Sequence, residues 1–237
     1  MLRRRSGDYD QAVTADARPL VSLVVVTHNA LPYIHRLLRS LPRTRGVDYE
    51  VVVVDNRSRT LVRMYLVLQT LRGRIARVCL LDRNTLFAEA NNIGAAASSR
   101  SARHVLLLNS DTEVRHPDWL ARLLELHRGG ATSYGFVAGG PVPRADGYCL
   151  LVDRDLYLAH GLDEDFEWFW GVTKLQAELL QAGHPVRAVR DHDHMLHHFG
   201  GKSGGKPLVR RAKGMRVNRE EIVGWFAGRS VDVIERA

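Results

Sequence analysis

Apolar residues in the first half of the chain come in short unbroken runs, with amphipathic stretches between them. Val21 to Val26, Glu50 to Asp55, Arg77 to Leu81 and His104 to Leu108 predict strands. Leu31 to Leu41, Leu61 to Leu71, Ala88 to Ser98 and Asp118 to His127 carry helical spacing, with Pro32 in a first turn and His116-Pro117-Asp118 marking an N-terminus. Runs that are apolar on both faces belong to strands covered on both sides, and their alternation with helices predicts βαβ units. The fold class that follows is α/β, a Rossmann-like, mostly parallel sheet flanked by helices. The second half is punctuated by Gly129-Gly130, Gly139-Gly140-Pro141 and Pro143. It offers a short strand from Cys149 to Val152, a helix from Val172 to Ala182 and a terminal helix face from Ile222 to Phe226, and the glycine-rich run after Gly200 predicts a mobile loop.

Two strands end in polar side chains, Val54-Asp55-Asn56 and Leu108-Asn109-Ser110-Asp111. In parallel sheets ligands bind beyond the carboxyl ends of the strands, so Asp55 and Asp111 are expected to share one cleft.

The chain has 237 residues, 45% of them hydrophobic, enough for a single core. Its formal charge is +8, with basic residues at Arg3 to Arg5 and again from Lys202 through Lys206, Arg210, Arg211, Lys213, Arg216 and Arg219. That layout predicts basic tails around a nearly neutral body and attraction to polyanions, anionic lipid or phosphorylated ligands. Cys79 and Cys149 are the only cysteines, which predicts buried thiols and a reducing, cytoplasmic setting. The opening arginines are followed by Ser6 to Asp10 rather than an apolar stretch, and no apolar run is long enough to span a membrane; the protein is expected to be soluble or peripheral at the membrane.

Four motifs in order carry a resemblance: Val26-Thr27-His28-Asn29, Val54-Asp55-Asn56-Arg57-Ser58, Asn84 through Phe87-Ala88 to Asn91-Asn92-Ile93-Gly94, and Leu108-Asn109-Ser110-Asp111. Residues 20–200 resemble family 2 glycosyltransferases of the GT-A fold, especially rhamnosyltransferase-like members. The resemblance implies a nucleotide-diphosphate sugar donor (UDP, dTDP or GDP type), Mn2+ or Mg2+, and inversion at the anomeric carbon. It divides the chain into a basic segment at 1–19, a transferase domain at 20–200 with a nucleotide-binding half to 128 and an acceptor half beyond, and a basic tail at 201–237.

A nucleotide base needs an acceptor for its N–H, and a carboxylate at a strand terminus supplies a charge-assisted one. Asp55 matches that family role, with Thr27, His28 and Asn29 flanking base and ribose, and Asn56, Asn84, Asn92, Asn109 and Ser110 completing the expected nucleotide site. An Asp capping the following helix is the alternative for Asp55. A cation held by carboxylate oxygen neutralises the departing diphosphate. The family's Asp-x-Asp element here reads Asn109-Ser110-Asp111, making Asp111 the expected metal ligand; Asp111 with Glu113 is a shifted carboxylate pair, and an Asx-type turn is the plain alternative. The family often places a histidine before a glycine-rich loop near the diphosphate. His198 matches it and His197 is its neighbour, while His192 and His194 are expected on one strand face.

The acceptor side departs from the family. Leu162-Asp163-Glu164-Asp165-Phe166 matches the beginning of the family's acceptor pattern, yet Gly171-Val172 stand where relatives carry Glu-Asp and Lys174 where a later Asp belongs. An inverting transfer needs a base near the attacking hydroxyl, and Asp163, Asp165 and Glu167 are the candidates from the preceding loop. Trp168, Phe169 and Trp170 suit a stacking wall. The alternatives are an acceptor acidic enough to need no strong base, a degenerate member that binds nucleotide without transfer, and a basic module for membrane or nucleic-acid surfaces. Nucleic acid is the poorest fit, because basic and aromatic residues do not interleave. The Gln-x-x-Arg-Trp element of processive enzymes is absent, which predicts single transfer.

Overall fold

The computed structural model describes residues 20–202 and 212–237. Eight strands form the central sheet: β1 (Leu20–Thr27), β2 (Tyr49–Asp55), β3 (Arg77–Leu80), β4 (Ala102–Leu108), β6 (Ala131–Tyr134), β9 (Cys149–Asp153), β10 (Val186–Asp191) and β12 (Asp232–Arg236). Their spatial order is β12-β10-β6-β9-β4-β1-β2-β3. Only β9 runs against its neighbours, pairing antiparallel with β4 and β6. Two small ribbons lie outside the sheet: β5 (Thr112–Val114) with β11 (Leu196–His198), and β7 (Phe136–Val137) with β8 (Arg144–Ala145). The mostly parallel α/β class is the one the apolar runs predict.

Alternate residues of β1 supply the two halves of the core. Val21, Leu23 and Val25 face α1 (Leu31–Ser40), α2 (Thr60–Leu71) and α4 (Trp119–Leu126), through Ile34, Leu37, Val62, Leu66, Trp119 and Leu123. Val24 faces the other layer, made by α3 (Ala88–Ala96), α5 (Arg154–His160), α6 (Trp170–Gln181) and α7 (Arg219–Phe226). Gly94 lets α3 lie against the sheet: a Cβ there would sit 2.3 Å from Val24 Cγ1 and 3.1 Å from Val54 Cγ2.

The first four strands and helices match their predicted positions to within two residues at either end. The second half adds β6, β10, β11, β12 and α5, which the sequence pattern did not single out. The boundary expected at residue 200 does not coincide with an edge of the fold, since α7 packs beside α6 and β12 pairs with β10 as the last strand of the sheet. The expected strand carrying His192 and His194 is corrected: β10 ends at Asp191, and Met195 and Leu196 donate back to the His192 carbonyl in a turn. Most of the expected mobile loop, residues 203–211, lies outside the described residues. Cys149 is fully buried and Cys79 half-buried, both free. No helix among the described residues is long and apolar enough to cross a membrane.

Candidate active site

Parallel register brings the polar strand ends to one edge. Thr27 pairs with Asp55 across β1 and β2, and β4 flanks β1 on its other side. The Asp55 carboxylate is fully buried, accepts from Ser58 N–H at 3.2 and 3.3 Å, and lies 3.3 Å from Arg63 Nε. It therefore shapes the turn ahead of α2 without capping that helix, whose N-cap is Arg59 with no side-chain cap, and carries a guanidinium partner besides. His28 Nδ1 is 2.7 Å from the Asn56 carbonyl, and Asn29, at φ 53°, accepts from Arg59 N–H at 2.8 Å. Thr27 Oγ1 is buried without a hydrogen-bond partner.

Three expected nucleotide residues spend their side chains on the fold. Asn56 accepts from Thr85 N–H at 2.7 Å and donates to the Leu86 carbonyl at 2.7 Å. Asn84 accepts from Leu86 N–H at 2.9 Å. Asn92 binds Leu162 through both N–H and carbonyl and also meets Tyr157 Oη and Glu164, so it fastens α3 to the loop before α6. Leu86 between them takes φ 61°, a left-handed conformation unusual for leucine, at the mouth of the same edge.

Beyond β4 the chain turns through Asn109-Ser110-Asp111 into β5, and β11 returns beside it with His198 opposite Thr112. Asp111 is fully buried. Its Oδ2 accepts from Lys202 N–H at 2.7 Å, while Oδ1 lies 3.4 Å from His198 Nε2 and has no hydrogen-bond partner. Burial alone raises the Asp111 pKa, but the His198 ring and the Lys202 N–H outweigh it and hold the carboxyl below its ordinary value. Asn109 Nδ2 is 3.4 Å from the same His198 nitrogen, whose ring stacks on Tyr148 with centroids 4.3 Å apart. A carboxylate oxygen without a proton donor and an imidazole nitrogen facing it form a donor set that fits a divalent cation, with the Asn109 amide beside it. Glu113 does not join them, because alternation along β5 turns it toward Arg36 at 3.6 Å. His197 pairs with Asp193 at 2.6 Å instead. His192 packs inward on Tyr134, and His194 lies 3.8 Å from Asp191.

A cavity of about 370 Å³ opens beside Asn109 and Gly201, walled by Tyr148, Trp168, Phe169 and Trp170. Val172 lines it as well. Asp163, Asp165 and Glu167 do not line it. Asp163 is engaged by Lys174 and by Asp165 N–H, and Glu167 accepts from Lys213 N–H at 2.7 Å. The carboxylate that does line the cavity is Asp146, next to Arg144. It was not among the expected site residues, and it lies between β8 and β9 with no local sequence pattern to mark it.

A further group, His104, His127 and Asp153, sits at the opposite end of β4, where His104 pairs with Asp153. His127 Nε2 is 2.9 Å and His104 Nε2 3.4 Å from Asp153 Oδ1; Thr132 takes His127 Nδ1 and Gly130 N–H takes Asp153 Oδ2. These distances are those of a hydrogen-bonded brace across β4, β9 and the end of α4, remote from Asp111.

The comparisons with known proteins address the fold and the family. Over 110 residues, 46% of this chain, it is 37% identical to succinoglycan biosynthesis protein ExoO of Rhizobium meliloti (strain 1021), a match that covers 30% of that relative. It is 34% identical over 113 residues, 47% of this chain, to uncharacterized protein y4gI of Sinorhizobium fredii (strain NBRC 101917 / NGR234), covering 12% of that relative, so the chain spans less than a third of either. The mannosyltransferase PcManGT of Pyrobaculum calidifontis, solved with GDP-Man and Mn2+, superposes with TM-score 0.62 at 20% identity, over 75% of this chain and 56% of that one. S. aureus TarS 1-349 with UDP gives 0.52 at 19%, over 66% and 55%. These likenesses show the GT-A architecture, and the model of glycosyl transferase family 2 matches residues 22–165. On that span, which takes in Thr27, Asp55 and Asp111 but not His198 or Lys202, the chain belongs to glycosyl transferase family 2.

Proposed function

We propose that the chain transfers a sugar, with inversion, from a nucleotide-diphosphate donor to a hydroxyl of a small-molecule, glycan or lipid-linked acceptor. The observation that carries this is the convergence of Asp111 Oδ1, left without a hydrogen bond, and His198 Nε2 at the end of β4. The donor lies along the strand ends, with the base toward Asp55, Thr27 and Asn29 and the diphosphate toward Asp111, Asn109 and His198. Mn2+ or Mg2+ fits the latter group, and when bound supplies charge neutralisation to the leaving diphosphate. GDP-Man with Mn2+ in PcManGT and UDP in TarS support a donor of this class.

In this reading the sugar and acceptor occupy the aromatic cavity and Asp146 is the base. Its carboxylate takes the acceptor proton as the hydroxyl oxygen attacks the anomeric carbon and the bond to the diphosphate oxygen breaks. Trp168 and Trp170 stack on the acceptor, Arg144 offers hydrogen bonds, and the walls keep water from the anomeric carbon. Asp163 and Glu167, expected in this role, are here structural. Calorimetry with UDP, dTDP and GDP, with and without Mn2+, tests donor class and cation need together; no binding of any of the three in either condition would refute the reading.

A further inference from the structure

The positive charge is not confined to the termini. Residues 28–81 contain ten arginines against Asp48, Glu50 and Asp55, whereas residues 82–198 contain eleven basic and sixteen acidic residues. The excess of positive charge in the described body therefore belongs to the unit made by α1, β2, α2 and β3, and the stretch that follows is net acidic. Between Asp55 and Asp82 there is no acidic residue, and Arg57, Arg59, Arg63, Arg72, Arg74 and Arg77 fall in that interval.

The same unit exposes apolar side chains in an ordered way. On α2, Leu61 is 68% exposed, Met64 64%, Leu68 41% and Leu71 80%, at spacings that place them on one stripe, with Val67 at 41% beside it. The opposite face buries Val62, Leu66 and Gln69 against the sheet. Arg57 and Arg59 are exposed before the N-terminus of α2, and Arg72 and Arg74 after its C-terminus. On the neighbouring helix α1, joined to α2 by the His35–Tyr65 contact, Arg36 and Arg39 are exposed too.

We propose that the outer face of α2 docks the protein on an anionic lipid surface, with Leu61, Met64, Leu68 and Leu71 entering the headgroup region and the flanking arginines pairing with phosphates. An apolar stripe alone fits several occupants; a stripe bounded at both ends by arginines, with no acid among them, is complementary to a negatively charged interface and repels a second copy of itself. The apolar stripe is carried by α2 alone, while Arg57 and Arg59 adjoin Asn29 and Asp55 at the strand ends; vesicle binding is read without nucleotide, so its test does not depend on the donor reading. It places membrane attraction on the folded body instead of the terminal tails.

The experiment is co-sedimentation of the full chain with phosphatidylcholine vesicles, with and without phosphatidylglycerol, at low and high salt. Binding is expected only with the anionic lipid and to weaken with salt. The triple variant Leu61→Ser, Met64→Ser, Leu71→Ser is expected to lose about tenfold or more of the partitioning. A second variant, Arg57→Gln with Arg59→Gln, Arg72→Gln and Arg74→Gln, is expected to flatten the salt dependence. Circular dichroism and thermal unfolding check that both variants keep their fold. The proposal is overturned if the full chain ignores anionic vesicles, if Lys206→Gln with Arg210→Gln and Arg211→Gln removes the binding while the α2 variants keep it, or if light scattering shows a dimer that the triple variant dissolves.

Discussion

Lys174 holds Asp163: the ammonium engages Asp163 Oδ2 and ties the acidic loop to the first turns of α6. Its partner is one of the three acids expected as the base. The pair lowers the Asp163 pKa against the opposing effect of burial. Asp163→Asn is therefore expected to cost stability, up to about 1 kcal/mol for a partly exposed pair, and to leave turnover near the parental value. Asp146→Asn is expected to lower kcat by about two to four orders of magnitude with donor affinity unchanged. Steady-state kinetics on both, once a donor and acceptor are in hand, separates the roles; a large kcat loss in Asp163→Asn alone would reverse them.

Removing Asp111 or His198 is expected to abolish the Mn2+-dependent part of nucleotide-diphosphate binding. Losses above about tenfold are in keeping with what even outer partners of a metal ligand contribute. His104→Ala provides the control, since that histidine belongs to the distant brace and its loss should leave Mn2+-dependent binding intact. Calorimetry on the three variants decides the matter.

Gly94→Ala is expected to destabilise the fold by about 1–3 kcal/mol, because the new methyl has nowhere to go between α3 and the sheet. Urea denaturation measures this, and an unchanged midpoint would mean that α3 lies farther from Val24 than described.

His104 and His192 have pKa values lowered by burial, in His104 with the neighbouring His127 adding to the effect. As the pH falls past the ordinary histidine value, about 6.5, the unfolded chain takes protons that the folded one resists. Stability should therefore decline from neutral toward mildly acidic pH. His104→Gln should show a shallower decline in Tm over that window; an equal or steeper one would remove His104 from the account.

The strands and helices of the first half were legible because each carries one unmixed signal: a continuous valine or leucine run, or a helical stripe. β6 was not, since Thr132 and Ser133 are fully buried yet polar, one taken by His127 and the other by the Asp146 carbonyl. β10 and β12 alternate with arginine and acid, a pattern that reads as solvated chain until the two pair at the sheet edge. Among site residues, Asp111 and His198 were visible through their motif neighbours, and the structure brings them together. Asn92 and Asn56 show why a motif alone does not fix a role: an asparagine after a strand or within a helix suits a loop latch as well as a ligand, and both side chains here bond to the fold. Asp146 carried no local pattern, and only the folding of β8 against α6 brings it to the cavity.

The dependence of Asp111 on Lys202, ninety-one positions away, has a consequence for biosynthesis. A chain emerging from the ribosome completes β1 to β4 long before His198 and Lys202 exist. Until they arrive, the Asp111 carboxylate has neither its N–H donor nor its imidazole neighbour, so it has reason to stay hydrated and the turn after β4 to stay open. The cleft is thus among the last parts of the domain to mature, and a truncated product ending before β11 would hold a largely formed sheet with an unfinished site.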